Sequence, residues 1–96
     1  MNRKYRKTII AGNWKMNMTN SAVKPFMEEL KENLPKTKVC EVVLCTPAVM
    51  IQNMVKAGKE CKVAAGGQDV SKHDKGAYTG EISASMLADV GAKYCI

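Results

Sequence analysis

Four short apolar runs divide the chain into alternating segments. They occupy residues 8–12, 41–45, 62–65 and 92–96. Each run is apolar at nearly every position instead of alternating with polar residues, which indicates strands that are covered on both faces, as in a parallel sheet. The three segments between the runs carry apolar residues at helical spacing. The pattern therefore predicts the order β-α-β-α-β-α-β.

The first helix is predicted from an apolar stripe with charged residues on its opposite side. The stripe consists of Val23, Phe26, Met27, Leu30 and Leu34. Asn20 or Ser21 is suited to cap the start of this helix, and Pro35 is suited to stop it. Because proline has no amide hydrogen to donate, Pro25 is expected within the first turn, which places the helix start late.

The second and third helices have clearer end signals. Thr46 followed by Pro47 predicts a cap with proline at the first helical position, and Gly58 predicts the end of the second helix. Its buried stripe is Met50, Ile51, Met54 and Val55. The third helix is predicted at about residues 83–90, with Gly91 as its terminator. Its inward positions are Met86, Leu87 and Val90.

Strict alternation of strand and helix with short connections implies right-handed crossovers and an α/β fold with parallel strands.

With 96 residues, 10.5 kDa and 46% hydrophobic side chains, the chain is expected to form a single domain over residues 1–96. The apolar runs are far shorter than the roughly 18 residues of a membrane span. The basic segment 1–7 is not followed by the apolar core of a signal peptide, so a cytoplasmic location is predicted.

Charge and cysteine content narrow the function classes. A formal net charge of +6 favours anionic partners, but the few arginines and aromatics are not arranged as in nucleic-acid binding proteins, so no nucleic acid is predicted. The four cysteines form no CxxC pair and are interpreted as reduced, buried thiols. They are Cys40, Cys45, Cys61 and Cys95. With a single histidine, His73, and no CxxC pair, no metal site is predicted.

Two segments are candidates for chemistry. After the first strand, Asn13 and Lys15 place an amide and an ammonium two positions apart, and the strand period of two predicts that they point the same way. Such a pair suits an anionic or carbonyl-bearing ligand. The connection 71–82 is longer than the roughly 2 to 6 residues usual between a strand and a helix, which is typical of a functional loop.

Three motifs carry a resemblance to a known family. The segments 11–17, 66–71 and 76–83 read AGNWKMN, GGQDVS and GAYTGEIS. In this order they closely resemble the triosephosphate isomerase family, whose barrels have about 250 residues. The resemblance implies a partial TIM (β/α)8 barrel, comprising the first three βα units and the fourth strand.

The resemblance also implies an activity and its residues. Family members are cytoplasmic, cofactor-free homodimers of glycolysis and gluconeogenesis that interconvert dihydroxyacetone phosphate and glyceraldehyde 3-phosphate. By this resemblance, Lys15 stabilises the substrate phosphate and developing charge, and Asn13 contacts the substrate oxygen. The family's catalytic histidine and glutamate follow later strands, beyond residue 96, so the chain alone is expected to be inactive. His73 does not match the catalytic histidine and is interpreted as a surface residue.

The resemblance further implies a dimer loop that inserts into a partner subunit. In it, Thr79 reaches the partner's active-site region, and Met16 packs beneath the partner's loop. The other loop residues assigned to this interface are Tyr78, Gly80 and Glu81. Gln68 and Asp69 are interpreted as support for the site, whereas Lys72 departs from the aromatic residue common in the family.

Two alternatives come from other classes. A half-barrel with open sheet edges is suited to act as a stand-alone interaction or scaffold module, which self-associates or pairs with a complementary C-terminal segment. A flavodoxin-like phosphate binder would share the strand and helix alternation. Whether phosphoglycolate changes the fluorescence of Trp14 tests for such a binder.

Overall fold

The computed structural model describes residues 6–36 and 39–96. Its elements are β1 (Ile9–Asn13), α1 (Asn20–Asn33), β2 (Glu41–Cys45), a short 3-10 turn (Ala48–Met50), α2 (Ile51–Gly58), β3 (Val63–Gly67), α3 (Ala84–Asp89) and β4 (Tyr94–Cys95). The predicted alternation is confirmed, with the 3-10 turn as an addition. The basic N-terminal segment lies outside the described residues as far as residue 5.

The strands form one parallel sheet in the order β1-β2-β3-β4. The register pairs Ile9 with Glu41 and Val42 with Val63. Sequential order is the arrangement of a barrel, in which each βα unit adds a strand at the same edge. The predicted α/β class and partial TIM barrel are therefore confirmed. A flavodoxin-like fold is excluded because its first strand lies between the second and third.

The core lies between the sheet and the helices. Its buried members are Val23, Met27, Leu44, Met50, Ile51, Met54, Val63, Ala65 and Leu87. Met54, with 0% exposure, is central to it. Full burial of a side chain of this size stabilises the fold by roughly 1.5 to 3 kcal/mol. The stripes predicted for α1 and α2 thus form the contact between helices and sheet.

The prediction that every strand is covered on both faces was wrong for the two edge strands, β4, where Cys95 is exposed, and β1. Ile9 and Ile10 are 44% and 58% exposed. Within the described chain, β1 is an edge strand that pairs only with β2, so its apolar side chains lack a neighbour on one side. The apolar run correctly predicted a strand, but burial of the β1 side chains would require a neighbouring element at the open edge of β1.

The predicted late start of α1 was also wrong. The helix begins at Asn20, and Pro25 lies in its second turn. Pro25 has no N–H to donate to the preceding turn, so that turn needs support from elsewhere. Asn20 supplies it: its Nδ2 donates to the carbonyl of Val49 at 3.1 Å, and its Oδ1 accepts from Asn53 Nδ2 at 2.8 Å. These contacts hold the start of α1 against α2.

The cap predicted at Thr46 is not formed. Its hydroxyl donates to the Pro47 carbonyl at 3.1 Å, and Pro47 precedes the 3-10 turn instead of opening α2. In α3, by contrast, the Ser83 hydroxyl caps the helix by accepting from Met86 N at 3.2 Å.

The inward position predicted for Met86 was wrong, since its side chain is 54% exposed. Only Leu87 of α3 is buried, because a helix of six residues presents little more than one turn to the sheet. Gly91 has φ 95 and ends α3 as predicted, with its N–H donating to the Ala88 carbonyl.

Among the helices of the described residues, none combines the length and the apolar character of a membrane span.

Candidate active-site rim

The carboxyl ends of the strands meet at one edge of the sheet, here called the rim. Asn13, Cys45 and Gly67 are the last residues of β1, β2 and β3. Asn13 is paired with Cys45, and Trp14 N continues the ladder by donating to the Cys45 carbonyl at 3.0 Å. In α/β folds, ligands bind at this edge, so the side chains that follow the strands are the candidates for function.

Lys15 leaves the strand in a left-handed backbone conformation, with φ 56. The two side chains were predicted to point the same way because side chains repeat every two residues along a strand. That repeat requires extended backbone through both Asn13 and Lys15, and Lys15 is not extended. A different link joins them: the Lys15 N–H donates to Asn13 Oδ1 at 2.9 Å. Both side chains are exposed at the rim. That they converge on one ligand stays a prediction.

Gln68 ties this turn to the neighbouring strand. Its Nε2 donates to the carbonyl of Lys15 and to the carbonyl of Cys45, each at 3.0 Å. One half-buried side chain after β3 thereby fixes the backbone of the first loop and the end of β2. The support expected from Gln68 is present as hydrogen bonds to backbone atoms.

Two further contacts in this loop had no clear signal in the sequence. Asn17 Nδ2 donates to the Trp14 carbonyl at 2.8 Å. The Trp14 ring packs edge-to-face on Phe26, with centroids 5.0 Å apart. An edge-to-face aromatic pair is worth about 0.5 to 1.5 kcal/mol beyond its buried area. The loop is thus anchored to α1 on one side and to Gln68 on the other.

A lysine in the left-handed region costs about 1 to 2 kcal/mol relative to ordinary backbone. Such strain persists only where surrounding contacts determine it, and these places are concentrated at functional sites. At Lys15 these contacts are two hydrogen bonds. Its N–H donates to Asn13 Oδ1, and its carbonyl accepts from Gln68 Nε2. The rim therefore presents the Lys15 ammonium from a backbone that is fixed before any ligand arrives.

Replacing Gln68 with methionine is expected to lower the free energy of unfolding by about 1 to 3 kcal/mol, because the Lys15 carbonyl loses its donor and the Cys45 carbonyl is left with Trp14 N alone. Trp14 is the single tryptophan, so its fluorescence follows the unfolding of this loop. The matched control is Gln52→Met on the exposed side of α2, which should change the midpoint little. Equal stability of the two variants would contradict the role given to Gln68.

The long connection after β3 is closed on itself. Ser71 N donates to the Ile82 carbonyl at 2.7 Å at its base, and Glu81 N donates to the Tyr78 carbonyl at 2.9 Å near its tip. The rings of His73 and Tyr78 stack with centroids 4.0 Å apart and planes 3° apart. His73 is half-buried by this stack, so its interpretation as a plain surface residue was incomplete.

The residues predicted to contact a partner are all exposed in this chain. Met16 is 94% exposed and Tyr78 is 44% exposed. Thr79, Gly80 and Glu81 form the exposed tip of the same loop, where Gly80 has φ 92. The loop is joined to α3 by Ser85 Oγ, which donates to Asp74 Oδ1 at 3.1 Å. A role of these residues in a dimer stays a prediction.

Burial of the cysteines differs from the prediction. Cys45 is buried with 1% exposure, but Cys40 and Cys61 are half-buried and Cys95 is exposed. Burial raises the pKa of the Cys45 thiol, and the nearby Cys95 adds to the rise. Cys45 is therefore a poor nucleophile at neutral pH, consistent with a packing role.

Neither a candidate metal site nor a large cavity was found at the rim among the described residues. Among residues 6–36 and 39–96, no group of three or more His, Cys, Asp or Glu side chains could hold a metal ion. A cavity of about 400 Å³ lies between α1 and α2, and another of about 230 Å³ involves residues that precede β2 and β3. Neither is lined by Asn13 or Lys15, which are exposed at the open rim.

Comparison with known proteins identifies the relatives of this chain. A family model described as triosephosphate isomerase matches residues 8–96. The triosephosphate isomerase of Trichodesmium erythraeum is 51% identical over 92 residues, which is 95% of this chain and 38% of that protein. The Bacteroides fragilis triosephosphate isomerase is 41% identical over 92 residues, which is 95% of this chain and 37% of that protein.

A solved structure agrees with the sequence relatives. The crystal structure of triosephosphate isomerase from Bartonella henselae has a TM-score of 0.77 and 31% sequence identity, covering 94% of this chain and 37% of that chain. This chain therefore spans less than two fifths of the length of the relatives it matches. With the family model matched over nearly its whole length, the chain belongs to the triosephosphate isomerase family.

Proposed function

We propose that this chain supplies the first three βα units and the fourth strand of a triosephosphate isomerase, and with them the substrate-contacting residues of the first loop. The reaction is the interconversion of dihydroxyacetone phosphate and glyceraldehyde 3-phosphate in the cytoplasm. The observation that carries the proposal is the fixed backbone of Lys15, held in a left-handed conformation by Asn13 and Gln68 at the rim.

Lys15 supplies positive charge to the reaction. The substrate phosphate is a dianion, and negative charge also develops on the substrate oxygens during enolisation. A cation whose backbone is already positioned stabilises such charge without reorganisation in the transition state, which is often the largest contribution to catalysis. Asn13 has two roles in this proposal: its Oδ1 accepts from Lys15 N, and its Nδ2 remains able to donate to a substrate oxygen.

Residues 1–96 do not include counterparts of the family's acid-base groups. Proton transfer between the two carbons needs a base within hydrogen-bond reach of the substrate. In this proposal those groups come from the later βα units of the barrel, whose strands would fill the sheet between the open edges of β4 and β1. The chain alone should bind a triose phosphate weakly and convert none.

The partner in the proposed protein is a second subunit. The exposed tip that carries Thr79 and Tyr78 is joined at its base and stiffened by the His73 stack. A loop that keeps its shape loses little conformational entropy on docking. We therefore assign Thr79, Tyr78, Gly80, Glu81 and Met16 to a homodimer interface.

A chimera tests the proposed function. This chain replaces the matching 92-residue segment of the Trichodesmium erythraeum enzyme, so that the later βα units come from that relative. The chimera is expected to interconvert the triose phosphates, whereas the isolated chain should show no turnover above buffer. A folded chimera without isomerase activity would contradict the proposal, and turnover by the isolated chain would contradict the division of roles.

A further inference from the structure

Two thiols lie together at the end of the sheet opposite the rim. Cys40 precedes β2, Cys61 precedes β3, and both line the cavity of about 230 Å³. Its other walls include the apolar side chains of Leu34, Val39 and Val42. Both cysteines are half-buried and free. A small reagent can therefore reach them, and both residues border the same cavity.

The strand register places the two residues just before the same end of the β2 and β3 ladder. Val42 pairs with Val63 in the parallel ladder of β2 and β3. Cys40 and Cys61 each lie two positions before these partners. Neighbouring strands are about 4.8 Å apart, and disulfides join Cα atoms about 4.4 to 6.8 Å apart.

Register alone does not place Cys61, because Lys62 has φ 58 and turns the chain just before β3 begins. The shared cavity supplies the missing information. Both cysteines border the same cavity of about 230 Å³, so Cys61 stays near Cys40 despite the turn at Lys62, although Cys61 also borders the cavity between α1 and α2. Cys45 and Cys95 lie instead at the carboxyl ends of β2 and β4.

We propose that Cys40 and Cys61 form a dithiol site that is oxidised by small disulfides to an intramolecular disulfide. One thiolate attacks a sulfur of the small disulfide, which forms a mixed disulfide and releases one small thiolate. The second cysteine thiolate then attacks the protein sulfur of that mixed disulfide and releases the other small thiolate. The two protons lost by the cysteines end on the two small thiols. The protein is oxidised by two electrons, and the small disulfide is reduced.

The proposed link closes a loop that contains the 3-10 turn and α2. A covalent bond between the chain before β2 and the chain before β3 restricts the unfolded state, so the oxidised chain should unfold at a higher urea concentration than the reduced chain. Formation of the disulfide and the higher urea midpoint are independent of isomerase activity and do not rest on the proposed function.

The test uses the full 96-residue chain with oxidised glutathione as the probe. After incubation, free thiols are alkylated, and the chain is digested at low pH and mapped by mass spectrometry. The expected main product has lost about 2 Da, carries the Cys40–Cys61 link, and leaves Cys45 and Cys95 alkylated. Cys40→Ser and Cys61→Ser should each abolish this product, whereas the double variant Cys45→Ser, Cys95→Ser should retain it.

Oxidation in concentrated guanidinium chloride is the control for folding. In an unfolded chain the shortest loop closes most readily, which favours Cys40 with Cys45. A shift from that pair to Cys40–Cys61 on folding supports the proposal. A folded chain that gives the unfolded pattern, stable glutathione adducts on either cysteine, or no link at all would overturn it.

Discussion

Replacing Lys15 with methionine in the chimera is expected to lower kcat/KM for the triose phosphates by about 10²- to 10³-fold, the usual effect of removing one group that stabilises transition-state charge. Methionine keeps much of the length and apolar stem of lysine but carries no charge. The backbone bonds of residue 15 to Asn13 and Gln68 do not involve its side chain, so the loop should keep its shape. Steady-state kinetics in both directions measure the loss.

The matched control is Lys24→Met, which removes the same charge from α1. Lys24 lines the cavity between α1 and α2, away from the rim. Its loss lowers the net charge by the same amount, so any general effect on substrate attraction is shared by the two variants. Equal kinetics of the two variants would show that Lys15 has no special role, and would remove the main support for the rim as the substrate site.

Replacing Gly58 with alanine is expected to destabilise the fold by about 2 kcal/mol, although alanine normally stabilises a helix relative to glycine by up to about 1 kcal/mol. Gly58 is the last residue of α2, and a Cβ there would clash with the Val63 carbonyl oxygen. That oxygen is backbone at the start of β3, so relief requires moving the helix or the strand. Urea unfolding should show a lower midpoint with an unchanged slope.

Gly12→Ala is the matched control for this effect. A Cβ at Gly12 would meet Leu44 Cδ2 at 2.8 Å, which is the far end of a flexible side chain. A small rotation of Leu44 relieves this contact, so the cost should stay below about 1 kcal/mol. If Gly58→Ala were as stable as the parent, the close approach of α2 to β3 would be wrong.

Periodicity predicted the scaffold well where local pattern and tertiary packing agree. The bounds of β2 and the buried side chains Met50, Ile51 and Met54 were predicted from apolar spacing alone, because β2 lies inside the described sheet and α2 packs against that sheet. At the edge the same pattern predicted too much burial. Ile10 is apolar like its counterparts in β2, but nothing in a local pattern says which strand lacks a neighbour.

The candidate site was harder to predict because its geometry depends on contacts between distant segments. Asn13 and Lys15 were identified as residues, but the left-handed turn at Lys15 depends on Gln68, which follows β3. No local pattern reports a hydrogen bond across that separation. The stack of His73 on Tyr78 was missed for a related reason, since the turn at Gly76, with φ 136, brings the two rings together.

Pro25 illustrates how tertiary contacts override a sound local rule. Proline within a helix removes one backbone hydrogen bond, so a late start was the reasonable prediction. The bonds of Asn20 to Val49 and Asn53 fix the earlier turn from outside the helix. The rule about proline was correct, but it considered only the helix itself.

The proposed function requires that the rim of this chain receives a phosphorylated triose through Lys15. The most direct measurement is the dissociation constant of phosphoglycolate for the chimera and its Lys15→Met variant. A lost hydrogen bond to a charged group is worth about 1.5 to 3 kcal/mol, so the variant should bind about 10- to 100-fold more weakly, with a smaller dependence on salt. An unchanged dissociation constant and salt dependence would contradict the account.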